Sequence, residues 1–122
     1  MSYLSSCTYT ATDDGGGVTE SSLATWAGTR AMFGVFVEVR LGAVTEAQGA
    51  AYESVGRATV FPTMVLVDAG GRTLALNGVT CGFEGTGPRG AATILTREGF
   101  LSEAEAAVVV TRASQVLLRL NV

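Results

Sequence analysis

The sequence predicts an α/β domain, with α+β as the neighbouring alternative: one mixed, four-stranded sheet carrying helices in the order β-α-β-α-β-β-α-α. Three observations predict it. Residues 31–41 alternate in hydrophobicity with a period of two. The run Val60 to Val67 passes through the turn Asp68-Ala69-Gly70-Gly71 into a second extended run, Thr73 to Val79. Capping-box pairs, Thr45 with Gln48 and Ser102 with Glu105, open two stretches of helical spacing. A chain of 122 residues buries one core and not two, so residues 1–122 are expected to form a single domain.

Composition narrows the functional classes. A hydrophobic share of 48% with 16% charged residues excludes a disordered chain. The net charge is −3, every basic residue is arginine, and the arginines are scattered, so nucleic acid is not an expected partner. Histidine is absent, which removes the commonest general base, the commonest zinc ligand and any Ser/His or Cys/His couple. No metal and no cofactor are expected. The Arg-only, Ala- and Gly-rich usage suits a GC-rich genome, with an actinobacterial or phage origin as the expectation. Cys7 and Cys81 stand in no CxxC spacing and are expected as reduced thiols. Leu4-Ser5-Ser6-Cys7 has no basic start or apolar run before it, so a signal peptide is not expected. No apolar stretch reaches the ~20 residues of a membrane span. The expectation is a cytoplasmic protein without membrane contact.

In chain order, residues 2–11 have the Ser/Thr/Tyr content of a strand exposed on one face. Asp13-Asp14-Gly15-Gly16-Gly17 reads as a mobile acidic loop. Thr19 is placed to cap a helix over 20–28 in which Leu23, Trp26 and Ala27 share a side. In the strand 31–41, Phe33, Val35, Val37, Val39 and Leu41 face one way. Thr45 opens a helix to about Ala58, with Glu53 and Arg57 paired on its wet side. Strand, helix and strand over 31–67 predict a right-handed crossover, which would make the flanking strands parallel. Pro62 is confined to the start of its strand or to an edge. Two helices follow, one from about Pro88 to a stop at Gly99 and one from Ser102 to about Leu120. Their charges balance, four arginines against four glutamates from residue 82 onward, which argues against a DNA-binding helix pair.

The stretch Cys81-Gly82-Phe83-Glu84-Gly85-Thr86-Gly87-Pro88-Arg89-Gly90 is what packing alone does not require. Glycines allow close backbone approach, and a helix that starts near Pro88 leaves backbone N–H groups unpaired at its positive end. That is the physics of an anion site, with Arg89 beside it as a fork for carboxylate or phosphate. The stretch has neither the Lys-Ser/Thr ending of a P-loop nor the dinucleotide glycine spacing. A tight strand-to-helix turn with glycines serving helix-on-sheet packing explains the same residues.

The hairpin Asp68-Ala69-Gly70-Gly71-Arg72-Thr73-Leu74 followed by Gly82-Phe83-Glu84-Gly85-Thr86-Gly87-Pro88 resembles small bacterial and phage proteins with a Gly-aromatic-x-Gly-x-Gly-Pro segment. That resemblance implies no activity. Residues 33–78, through Phe61-Pro62-Thr63 and Met64-Val65-Leu66-Val67-Asp68, resemble the second half of a thioredoxin fold. This second resemblance implies a cis Phe61–Pro62 peptide and parallel strands, but no redox chemistry, because no Cys-x-x-Cys occurs.

The expected function is a small non-enzymatic binding module. It presents Gly82, Phe83, Glu84, Gly85, Thr86, Gly87, Pro88 and Arg89 to a protein or a small anionic partner, with homo-oligomerisation through an exposed strand or the last helix as an addition. A redox-inactive thioredoxin-like scaffold is the first alternative. The second is a small enzyme using carboxylates such as Glu84 and Asp68.

Overall fold

The computed structural model describes residues 9–42, 52–53 and 59–120. Its main sheet has five strands in the order β1-β6-β5-β2-β7: β1 (Ala11–Thr12), β2 (Phe36–Gly42), β5 (Met64–Asp68), β6 (Thr73–Leu76) and β7 (Gln115–Arg119). A separate two-stranded ladder joins β3 (Tyr52–Glu53) to β4 (Thr59–Val60). The helices are α1 (Thr19–Thr29), which runs into a short 3-10 helix at Arg30–Met32, α2 (Thr86–Arg97) and α3 (Glu103–Arg112). The α/β class holds, with one more strand in the main sheet than expected.

The sheet is mixed but largely antiparallel. Only β1 and β6 run parallel, with Ala11 opposite Leu74. β2 and β5 are neighbours, as a crossover requires, but they are antiparallel, with Val39 opposite Leu66 and Leu41 opposite Met64. The right-handed crossover expected over 31–67 is therefore corrected. The Phe61–Pro62 peptide is trans, since no described peptide bond is cis. Both geometric requirements of the thioredoxin-like alternative thus fail. Most of the helix expected over 45–58 lies outside the described residues, but Tyr52–Glu53 are extended and pair with Thr59–Val60. Pro62 sits between β4 and β5, where its missing N–H costs no ladder bond.

β2 shows why a period of two misleads. Phe36 pairs with Asp68 and Glu38 with Val67, which leaves Val37 as an extra residue in a bulge. The bulge turns Phe36 inward together with Val39 and Leu41, while Val35 is left 55% exposed. The face expected to hold Phe33, Val35, Val37, Val39 and Leu41 is therefore split.

All three helices lie on that inward face. Leu23 and Trp26 of α1, Ala91, Ile94 and Leu95 of α2, and Ala106 and Val110 of α3 join one core with Phe36, Val39, Leu41, Met64, Leu66, Leu74 and Leu76. Ala27, expected beside Leu23 and Trp26, is exposed. α2 ends as expected: Gly99 takes φ 84° and its N–H bonds to Thr96 O, while Phe100 N–H bonds to Leu95 O. α3 begins at the expected capping box, with Ser102 accepting from Glu105 N–H and Glu105 accepting from Ser102 N–H. Hydrogen bonding from Ser102, its backbone N–H first and its side chain second, favours the ionised form and holds the Glu105 carboxyl below its ordinary range.

α3 stops at Arg112 and not near Leu120. Ala113 is extended, and Gln115–Arg119 form β7 against β2, with Leu118 opposite Val39 and Val116 opposite Leu41. Val116 and Leu120 fit both a helical stripe, in which Leu117 joins them, and a strand's inner face, in which Leu118 does. An unfilled place beside β2 decides for the strand.

Two polar clusters tie the layers. Glu98 accepts from Trp26 Nε1 at 2.8 Å and from Arg30 Nε and Nη2 at 2.9 and 3.1 Å, and Arg30 also caps the carbonyls of Phe33 and Gly34. The Arg30 guanidinium lies 4.6 Å from the centroid of the Phe36 ring. Glu98→Ala, which takes the acceptor from three donor groups of Trp26 and Arg30, is expected to lower unfolding free energy by about 2 kcal/mol. A urea titration showing a loss below about 0.5 kcal/mol would count against this role.

The second cluster corrects the reading of 13–17 as a mobile acidic loop. Asp13 is buried and accepts from Ser22 Oγ, Gly15 N–H and Asn77 N–H, while Gly78 N–H donates to Ser22 Oγ and Gly17 N–H donates to Asn77 Oδ1. Thr19 does not cap α1. The N-cap is Val18, and Thr19 Oγ1 donates to Gly78 O. Of the strand expected over 2–11, only 9–11 are described, and β1 covers Ala11–Thr12.

Candidate functional site

After β6 the chain crosses the ends of α1 and α3 to reach α2. Val79 and Cys81 are buried, and Thr63 Oγ1 donates to Val79 O. Gly82 then takes φ 104° and donates its N–H to Val110 O at 2.8 Å, which fastens the loop to α3. A β-carbon at that φ would be strained, so glycine is required by the turn itself. Cys81 is a free thiol whose burial pushes its pKa up and leaves it a weak nucleophile, while Cys7 lies outside the described residues.

The site residues predicted from sequence are contiguous, and the structure divides them by exposure. Gly82, Phe83, Glu84, Thr86 and Arg89 are exposed, Gly85 and Gly87 are half-buried, and Pro88 is buried. α2 begins at Thr86, two residues ahead of the expected start, with Gly85 as N-cap and no side-chain cap. Pro88 is thus the third helical residue, where it removes a backbone donor, and Arg89 N–H already bonds to Gly85 O. The anion-binding amides of the first turn come down to Thr86 and Gly87.

Packing explains other glycines here. A β-carbon on Gly90 would come within 2.6 Å of Thr19 Cγ2 and 3.0 Å of Val79 Cγ1, and one on Gly87 within 3.1 Å of Thr80 Cγ2. Close seating of α2 on the core, the plainer of the two sequence readings, accounts for both.

The outer side of the segment is different. Glu84, Gly85, Pro88, Arg89, Ala92 and Thr93 form one wall of a groove of about 400 Å³, and Ala107, Val110 and Thr111 of α3 form the other. A second hollow of about 410 Å³ continues it past Thr96, Arg97 and Glu103. The lining is small and largely apolar, with charge at its rim. Phe83, 53% exposed, leans on Gly85: a β-carbon there would meet the Phe83 ring at 2.8 Å. The α3 wall escaped the sequence reading, because local periodicity does not say which faces of two helices diverge.

Glu84 and Asp68, the carboxylates of the enzyme alternative, are not brought together. Glu84 faces the groove, whereas Asp68 ends β5 beside Gly34 and Arg72. Asp68 accepts from Gly34 N–H, Gly70 N–H, Arg72 N–H and Arg72 Nε at 2.8 to 3.0 Å. Burial alone would raise its pKa, but the Gly34 and Arg72 N–H groups, the Arg72 charge and Gly70 N–H outweigh it and hold the carboxyl below its usual range. A carboxylate so occupied is a structural anchor and not a base. Among the described residues no cluster of three or more Cys, Asp or Glu side chains could hold a metal, and no helix is long and apolar enough to cross a membrane. Compared with family models, curated proteins and solved structures, the chain matches none.

Proposed function

We propose that the chain is a non-enzymatic interaction module that holds a short segment of a protein partner in the groove between α2 and α3. Phe83 is the apolar anchor and Arg89 the contact for an acidic side chain. The observation that carries this is a half-exposed aromatic ring, Phe83, that leans on Gly85 of a small-residue groove whose same wall holds the exposed Arg89. Aromatic and arginine side chains supply most of the energy at protein interfaces, and apolar area clustered beside a groove is where they act. Among the described residues Arg89 enters no salt bridge, so its guanidinium needs no intramolecular bond broken before it binds.

Photo-cross-linking in native-host cells tests this reading. A photoreactive phenylalanine analogue in place of Phe83 is expected to yield one discrete adduct, whereas the same analogue in place of Val18, equally exposed at the start of α1, yields none. Arg89→Ala is expected to weaken capture of that partner about tenfold while leaving the melting temperature within about 2 °C of the parent. Equal labelling from both positions, or an Arg89→Ala chain that loses stability in step with capture, would sink it.

A further inference from the structure

The outer edge of β7 carries a second surface. Leu120 N–H donates to Val37 O at 2.8 Å, so in this antiparallel ladder Leu120, Leu118 and Val116 turn their backbone groups toward β2. Gln115, Leu117 and Arg119 turn theirs the other way, and β7 is the last strand of the sheet on that side. Nothing among the described residues pairs with those outward groups. The usual devices that protect an edge are weak here, because the strand holds no proline and its central residue is Leu117, 52% exposed.

We infer that β7 is the dimerisation edge of this protein and pairs antiparallel with β7 of a second copy, about a two-fold axis at Leu117. The full-length register is self-complementary at each position. Leu117 meets its own symmetry mate, Gln115 meets Arg119, and every pair so formed sets outward backbone donors and acceptors against each other. Like charges are nowhere opposed: Arg119 lies across from an uncharged Gln115 and keeps its 3.0 Å ion pair with Glu38 of its own sheet. The dimer is a continuous ten-stranded sheet that buries the two Leu117 side chains against each other.

The expected result in sedimentation velocity, across the micromolar to millimolar range, is a concentration-dependent shift from 12.5 kDa to twice that mass. Leu117→Pro removes an outward N–H and none of the bonds to β2, and is expected to abolish the shift. Leu117→Lys sets like charges face to face at the axis and is expected to abolish it as well; should Leu117→Pro fail to fold, this variant carries the test. Under mild oxidation, Leu117→Cys in a Cys7→Ser background is expected to form a covalent dimer, and Leu118→Cys, which faces the helices, is not. A chain that stays monomeric throughout overturns the inference. So does a dimer that survives Leu117→Lys, because its interface lies elsewhere, and so does a β7 edge occupied only by a strand of another protein.

Discussion

Gly78→Ala is expected to cost roughly 3 to 5 kcal/mol, or on the order of 15 °C in melting temperature, a large share of the stability of a domain this size. A β-carbon there would come within 2.2 Å of Val18 O, 2.5 Å of Val18 C and 2.6 Å of Ser22 Oγ. The obstacle is backbone, so no rotamer change relieves it. α1 has to move off the segment after β6, and with it go the bonds from Gly78 N–H to Ser22 Oγ and from Thr19 Oγ1 to Gly78 O. Gly28→Ala supplies the contrast. Gly28 lies inside α1 with nothing within 4 Å of the added carbon, so alanine there is expected to stabilise by about 0.5 to 1 kcal/mol through helix propensity. Differential scanning calorimetry of both variants checks the pair. If both shift the melting temperature in the same direction, the close approach of α1 is not what requires glycine at 78.

Asp68→Asn comes second, at about 3 kcal/mol. The side chain is fully buried and both carboxylate oxygens accept, from Gly34, Gly70 and twice from Arg72. An amide turns donor hydrogens toward at least one of those donors and removes the charge facing Arg72. The pH dependence follows from the sign of the shift. The folded pKa lies below the unfolded one, so the unfolded chain takes up the proton first. The contribution of Asp68 is complete above the ordinary aspartate range, near 4, and is lost as pH falls through the depressed folded value. The stability gap between parent and variant should therefore be constant from pH 7 to about 5 and should narrow toward pH 3. A gap that is unchanged at pH 3 would mean that the carboxylate's charge contributes nothing.

The sequence makes legible those features whose cause is local. The hairpin turn at Asp68 to Gly71, the stop at Gly99 and the Ser102–Glu105 box each rest on residues within a few positions of one another, and each stands where it was expected. Features decided by distant partners were misread. Asp13 reads as part of a mobile loop because its partners Ser22 and Asn77 lie 9 and 64 residues away. The last stripe of apolar residues looked helical because the place beside β2 that makes it a strand is set by residues 36–42. The bulge at Val37 depends on how β5 pairs, and alternation alone cannot show it. For the site, the loop itself was visible through its glycines and proline. Half of the groove was not, because Ala107, Val110 and Thr111 belong to a helix whose position over α2 is a tertiary fact.

The register of the sheet bears on synthesis. β2 lies between β5 and β7, and the Glu38 to Arg119 contact spans 81 residues. A ribosome therefore releases β2 long before its second neighbour exists, and the nascent chain carries β2 paired on one side at most until β7 emerges. Pairing of β2 is in this sense completed by β7, so a chain cut after α3 would lose the rim strand and leave the edge of β2 open where Val39 and Leu41 pair with Leu118 and Val116.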